Sequence, residues 1–448
     1  MNYQSLLERK ANQVSIGKTV IDCNPHPNAK PHQADCLDML LSVKRGAAFL
    51  DTGLGKTFLQ LDWARHIPGD VLIVTPLAVA QQTIREAKKL LGMEIGFSSD
   101  GEISNRVTVT NYERIHHFDC SRFHGVVLDE SSILKGQNSK TRKQLTESFK
   151  DAEFKLCCTA TPAPNDYTEI GNHSEFLGIM PQMEMLMRWF VHDSANTADW
   201  RLKKHAVKDF WEWVASWAAC VSKPSDLGHD DSGYDLPPLT THTHLSEAPL
   251  DKPEGMLFDL PQVSATGLHK SARKTAEERC KKLSDMVNES DEPWIVWCES
   301  NNESEMLAKL IPDAVEVKGS DTLAKKEENL LAFTDQKARV IVSKAKICGF
   351  GMNWQHCRKI AFCSISYSYE RFYQAVRRSW RFGQTKPVEV HVFIADSELG
   401  VWRAIENKTK GHDQMKKEMR HAVFKKGTDL LRKVDYKPNS KSEIPSFL

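Results

Sequence analysis

Asp51-Thr52-Gly53-Leu54-Gly55-Lys56-Thr57 is preceded by the apolar run Ala47-Ala48-Phe49-Leu50 and followed by Phe58, Leu59, Leu61, Trp63 and Ala64. The run reads as a buried strand and the residues after it as an amphipathic helix, so the glycines fall in a strand-to-helix turn. Small residues at Gly53 and Gly55 let the backbone N–H groups on either side of Leu54 turn inward, toward the positive end of the new helix. Such a turn holds anionic phosphate. Lys56 adds a mobile cation for the β- and γ-phosphates of a nucleotide, and Thr57 a hydroxyl ligand for Mg²⁺. The pattern G-x-x-x-x-G-K-[ST] lacks its first glycine here, because Leu50 stands in that position.

With 448 residues the chain is long enough for two or three domains with their own cores. A hydrophobic share of 40% and a charged share of 27% are ordinary globular values, which sets aside fibrous and disordered classes. The net charge of +1 leaves any polyanion-binding groove to local patches. Eleven cysteines without a C-x-x-C pair argue against a zinc ribbon or a disulfide framework and for a reducing compartment. Residues 1–18 are polar, which is unlike a signal peptide, and no segment has the roughly 18 apolar residues of a membrane span. The expectation is a soluble cytoplasmic protein.

Beyond the loop, short apolar runs at Val71–Val74, Val107–Val109, Val126–Leu128 and Leu156–Cys158 alternate with helical patterns, which predicts a parallel α/β sheet over residues 1–175. Residues 176–245 differ in texture. Trp189, Phe190, Trp200, Phe210, Trp211, Trp213 and Trp217 crowd into helical patterns before Pro224, Gly228, Gly233, Pro237 and Pro238 break the chain, which predicts a helical insertion and a linker. The α/β alternation resumes over residues 246–397, with a basic helix at Ser271–Lys282 and strands at Ile295–Trp297, Val315–Val317, Val340–Val342, Lys359–Phe362 and Val388–Ile394. Residues 398–448 form a Lys-rich helical tail that frays from Asn439.

Val126-Val127-Leu128-Asp129-Glu130 delivers two adjacent carboxylates at a strand end. Downstream of a phosphate loop, Asp129 is placed to hold Mg²⁺ and Glu130 to orient and deprotonate a water aimed at the γ-phosphate. Arg378 and Arg381 lie three apart, so on a helix they share one face and reach the same phosphate.

The order of these motifs resembles helicase superfamily 2, and within it the Swi/Snf-like branch, over about residues 30–395. Gln33 in Pro31-His32-Gln33 occupies the place of that family's adenine-reading glutamine. Thr75-Pro76 and Thr110-Asn111-Tyr112-Glu113 resemble its nucleic-acid backbone motifs. Asp129-Glu130-Ser131-Ser132 resembles its Asp-Glu box, and Thr159-Ala160-Thr161-Pro162 the threonine motif that couples the lobes. Gly349-Phe350-Gly351-Met352-Asn353 resembles motif V, and Gln374 to Gln384 the Swi/Snf form of motif VI. The resemblance implies two RecA-like lobes, ATP with Mg²⁺ as cofactors, nucleotide contacts from Gln33, Gly351 and Gln374, and an arginine finger in the second lobe. Three departures stand out. Ser131-Ser132 replaces a small residue and a His, Arg377 stands where an acidic residue is usual, and Ser366-Tyr367-Ser368-Tyr369 replaces a Trp-Asn-Pro segment. The Asp-Glu variant and the short length are similar to compact helicase-like chains of phages and prophages.

A chain that tracks nucleic acid grips its backbone through hydroxyls, N–H groups and Lys/Arg. Thr75, Gln81, Thr110 and Arg114 are the candidates in the first lobe, and Lys318, Gly319, Ser320, Ser343, Lys344 and Lys346 in the second. The tryptophans of the insertion read as the core of a helical layer, with base stacking as the alternative. The basic tail reads as a brace helix, with phosphate binding as its alternative. The expected function is a DNA-stimulated ATPase that translocates on or remodels duplex or branched DNA. The competing readings are a strand-separating DNA or RNA helicase and a non-catalytic nucleic-acid-binding scaffold.

Overall fold

In a computed structural model the protein is described over residues 21–136, 139–192, 200–247, 273–348 and 353–426. The chain divides into two compact units, one comprising the residues up to Asp231 together with those from His412, the other Ser232–Gly411.

The first unit runs α1 (Pro31–Ser42), β1 (Arg45–Leu50), α2 (Lys56–His66), β2 (Val71–Thr75), α3 (Leu77–Leu91), β3 (Gly96–Phe97), β4 (Val107–Asn111), β5 (Gly125–Asp129), α4 (Lys140–Ser148) and β6 (Phe154–Cys158). It continues through α5 (Ile170–Leu177), α6 (Gln182–Trp189), β7 (Phe190–His192), β8 (Trp200–Leu202), α7 (Val207–Ala215) and β9 (Ala218–Val221). Seven strands form one parallel sheet in the order β3-β4-β2-β5-β6-β1-β9. The inner strands β2, β5 and β6 are buried at every position. Their continuous apolar runs are therefore what a sheet covered on both faces demands. Because all strands point one way, Leu50, Thr75 and Asp129 all end at the same sheet edge, with Val74 beside Leu128 and Asp129 beside Cys158.

The stretch expected to be a helical insertion and linker also contains strands. The short Ala218-Ala219-Cys220-Val221 run pairs in parallel with β1 and is buried throughout, so it extends the sheet. Its apolar run is too short for periodicity to separate strand from helix. The hairpin β7–β8 pairs His192 with Trp200. Trp189, Trp211, Trp213 and Trp217 are buried in the same core as Ala47, Phe49 and Leu128, packed edge-on around Phe210 and one another. They are core, as the main sequence reading has it.

The second unit runs β10 (Leu239–Ser246), α8 (Ala276–Asn288), β11 (Trp294–Cys298), α9 (Asn301–Leu310), β12 (Ala314–Val317), α10 (Leu323–Thr334), β13 (Val340–Lys344), α11 (Ala345–Cys348), β14 (Lys359–Phe362), α12 (Tyr369–Val376) and β15 (Val388–Ala395). Its six strands are also parallel, in the order β10-β15-β14-β11-β13-β12. The threonines at 240, 241 and 243 favour the edge strand β10, which sequence reading assigns to a linker. The basic helix expected over Ser271–Lys282 is α8, and its first turn is acidic through Glu277 and Glu278.

A final helix, α13 (Leu399–Lys426), belongs to the second unit through Gly411 and to the first from His412. Val401, Trp402 and Ile405 lie in the second unit's core, and Met415 and Met419 in the first unit's core. The fold is thus two parallel-sheet α/β units with a C-terminal helix. Asn439–Leu448, read as frayed, falls outside the described residues. No helix among the described residues is long and apolar enough to cross a membrane.

Candidate active site

The glycine loop between β1 and α2 bends through two left-handed residues, Gly53 (φ 98°) and Gly55 (φ 83°). At Gly55 the need for glycine is doubled, because a Cβ would stand 2.2 Å from Gln33 Nε2. Gln33, expected to read adenine, is buried, and its amide braces the loop. Its Nε2 donates to the Leu54 carbonyl at 3.0 Å and its Oε1 accepts the Lys30 N–H at 2.9 Å. His32 Nε2 lies 3.4 Å from the same Leu54 carbonyl. Lys56 opens α2 and donates its ammonium to the Leu50 carbonyl at 3.0 Å. Burial pulls the Lys56 pKa down, against the pull of Glu130, Asp51 and Asp129. Thr57 follows it, half-buried. The Thr52 hydroxyl is buried without a protein hydrogen-bond partner. An anionic, oxygen-rich group fits this loop, since it meets the Lys56 charge, a helix N-terminus and an unspent donor.

At the end of β5, Asp129 is 5% exposed and accepts a hydrogen bond from Thr75 Oγ1 at 3.0 Å. Burial raises its pKa, while the Thr75 hydroxyl, the Lys56 charge and Gln60 oppose the rise. The Tyr112 hydroxyl donates to the Asp129 carbonyl at 2.6 Å. Glu130 then adopts φ 54°, ψ 51°, and it and Gln336 are the non-glycine residues with positive φ among those described. Backbone strain of this kind persists where surrounding structure enforces it, and it concentrates at functional positions. Two carboxylates and hydroxyls at one sheet edge are oxygen donors of the kind a hard divalent cation takes.

The Ser131 that departs from the family pattern has a partner that sequence reasoning missed. Its Oγ lies 3.2 Å from Nε2 of His173, a fully buried imidazole on α5 packed edge-on against Phe49. His173 Nδ1 faces the Glu169 carbonyl at 3.4 Å, and the Glu169 carboxylate takes the Asn165 side-chain N–H at 2.8 Å. Burial lowers the His173 pKa to about 4, so the ring is neutral. The threonine motif closes on itself, with Thr161 N–H donating to Thr159 Oγ1 at 3.1 Å and Thr159 N–H to the Ala48 carbonyl of β1 at 3.2 Å. An imidazole so far along the chain carries no local motif that could have flagged it.

In the second unit, motif VI departs from its expected geometry. Helix α12 stops at Val376, so Arg378 and Arg381 lie in the turns beyond it and not on one helical face. The turn is held from the 354–357 segment, where Trp354 N–H donates to the Arg378 carbonyl at 3.0 Å and the Ser379 hydroxyl to the Cys357 carbonyl. Arg378 is 3% exposed, and its guanidinium donates to the side-chain oxygen of Gln374 at 3.0 Å and to the Gln374 carbonyl at 3.1 Å. Arg377 lies over the rings of Tyr373 and Trp380. Arg381 is half-buried. Gly351 lies outside the described residues.

Among the nucleic-acid candidates, three have buried, committed hydroxyls: Thr75 as above, Thr110 to the Ser98 carbonyl at 2.8 Å, and Ser343 to the Val317 carbonyl at 2.9 Å. Ser320 is exposed and Lys344 half-buried. Each of those three sits on a strand buried on both faces, so its side chain lies inside whichever way the pleat turns it.

Residues 278–383, within the second unit, match the family described as the helicase conserved C-terminal domain. The chain is also 28% identical over 165 residues to the DNA 3'-5' translocase XPB2 of Sulfurisphaera tokodaii. That similarity covers 34% of this chain and 37% of the relative, so the chain spans well under half the length of the curated relative it matches.

Proposed function

We propose that this chain is a nucleic-acid-stimulated ATPase of helicase superfamily 2 that couples ATP hydrolysis to translocation on, or remodelling of, DNA. The observation that carries the reading is Glu130. It is held left-handed at the end of β5, next to the buried Asp129 and across from a phosphate-type loop bearing Lys56. In this reading Lys56, the loop N–H groups and the Thr52 hydroxyl bind the triphosphate. Thr57 and Asp129 would hold Mg²⁺, which would supply charge neutralisation to the phosphates. The Thr75 hydroxyl fixes the orientation of Asp129, and Glu130 takes the proton of the attacking water. Arg381, the less buried of the two motif VI arginines, is the candidate to stabilise charge on the transferred phosphoryl group.

The helicase C-terminal match and the translocase named among the relatives support a motor acting on nucleic acid. Residues 374–384 favour the Swi/Snf-like branch, hence duplex over single-stranded or RNA tracks, and the compact length a phage-type member of it. Burial of Trp189, Trp211, Trp213 and Trp217 leaves Trp200 as the one half-exposed insertion tryptophan among those described, which weighs against a separation wedge built from these rings. The test is the ATPase rate with single-stranded, duplex and branched DNA and with RNA, at two salt concentrations. Duplex or branched DNA is expected to stimulate most. Stimulation by RNA alone would move the assignment to an RNA helicase, and no hydrolysis under any condition would leave a scaffold.

A further inference from the structure

Asp51 opens the phosphate loop, and its backbone N–H donates to the Val221 carbonyl of β9 at 3.0 Å. Its carboxylate is ion-paired with Lys416 of α13, and the two side chains are only 12% and 15% exposed. Lys416 does not reach Asp51 as a wandering surface cation. Met415 and Met419 on either side of it are buried, and with Phe49, Ala160 and Pro162 they line a small cavity beside the loop. One turn on, Arg420 pairs with Asp226 at 3.7 Å, and Asp226 accepts the N–H groups of Ser222 at 2.7 Å and Lys223 at 3.0 Å just after β9. The helix is thus fastened to the strand end that also holds the Asp51 backbone.

A carboxylate at the entrance to a phosphate site opposes the ligand, and in a low-dielectric position it does so strongly. It also draws on the positive charge of Lys56, which the phosphates need. We propose that Lys416 is a positioning residue of the nucleotide loop: by neutralising Asp51 it keeps the loop electrostatically open to a triphosphate and leaves Lys56 to bind it. The proposal rests on the ATPase reading above. Because the Asp51 charge acts on bound nucleotide in the ground state and the transition state alike, its release weakens binding without slowing chemistry.

The experiment compares full-length wild type, K416Q, K416R, D51N and the K416Q/D51N double variant. The readouts are the Kd of a fluorescent ATP analogue by titration, and KM and kcat for ATP. K416Q is expected to raise Kd and KM about tenfold with kcat within about twofold, the size of effect expected on freeing one charge of a shielded pair. K416R is expected to stay near wild type, and D51N in the K416Q background to restore affinity. A double variant as weak as K416Q would show a packing role and overturn the proposal, as would K416Q binding like wild type. A wild type that binds no nucleotide would overturn the ATPase reading as well, a result distinct from these two.

Discussion

The two units share an architecture and differ in what they do with charge. In the second, buried and half-buried ions neutralise one another inside the fold: Arg279 meets Glu303 at 2.9 Å and Glu398 at 2.8 Å, and Arg358 meets Glu292 at 2.7 Å and Glu389 at 2.8 Å. In the first, the strand ends gather an ammonium pushed toward neutrality and a carboxyl pushed toward protonation, both by burial, beside a strained Glu130. Shifted ionisable groups beside a strained backbone are candidates for chemistry, whereas the Arg279 and Arg358 pairs of the second unit read as construction. A shared fold therefore says little about which unit binds nucleotide, and the site residues say more.

The sharpest way to break this contrast lies in motif VI. Arg381→Ala is expected to cost on the order of 10³ to 10⁵ in ATP turnover while leaving nucleotide affinity within about twofold. Arg378→Ala, in contrast, removes a buried guanidinium from Gln374, and its main expected effect is loss of stability of about 1.5–3 kcal/mol. Steady-state kinetics beside urea unfolding separates the two. If both variants lose turnover with intact stability, Arg378 acts in the chemistry beside Arg381, and its buried pairing is not merely structural.

Glu130→Gln tests the first unit directly. It keeps the side chain's size and removes the base, so turnover is expected to drop about 10² to 10⁴-fold with ATP binding retained. An equilibrium binding titration beside the rate decides it. A drop in affinity as large as the drop in rate would assign Glu130 to binding.

These two tests also show how much the sequence held. The strand-turn-helix around Gly53–Thr57, the strand end at Asp129-Glu130 and ten of the thirteen described strands of the two parallel sheets were legible because period and turn chemistry are local signals. What escaped was tertiary. The hydroxyls of Thr75, Thr110 and Ser343 lie in the motifs expected, but on strands covered on both faces they are committed to internal partners. His173 reaches Ser131 from 42 residues away, and Lys416 reaches Asp51 from 365. Strand β9 hid behind the tryptophans because its apolar run is too short for periodicity to assign.

A third prediction uses pH. The His173 imidazole is held neutral with a pKa of about 4, against 6.5 in an unfolded chain. The unfolded state therefore binds the proton first. Stability is full above about pH 6.5 and falls as the pH drops toward 4, by up to about 3 kcal/mol from this one group. His391 in the second unit also has a pKa near 4, but it is partly exposed and shares its edge with His242, His244 and Glu389, so its share is smaller. Urea titrations from pH 7 to 4.5 on wild type and His173→Gln check this. A variant that keeps the full pH slope would place the titrating group elsewhere.

The smallest stability effects come from the two left-handed non-glycine residues among those described, one in each unit. Gln336 sits just past the C-terminus of α10, where its N–H donates to the Phe333 carbonyl at 3.1 Å and that of Lys337 to the Ala332 carbonyl at 2.8 Å. Glycine suits that position, so Gln336→Gly is expected to stabilise by about 1 kcal/mol with ATP turnover unchanged. Glu130 makes the same backbone turn between β5 and the short helical turn Ser131–Lys135, whose Ile133 N–H donates to the Glu130 carbonyl at 3.2 Å. Glu130→Gly relieves the same strain and is likewise expected to stabilise by about 1 kcal/mol, while losing turnover as Glu130→Gln does. Gaining stability and losing activity together is the signature of strain kept for chemistry. If Glu130→Gly is destabilised instead, the side chain is holding the first unit together, and its left-handed backbone is no sign of chemistry.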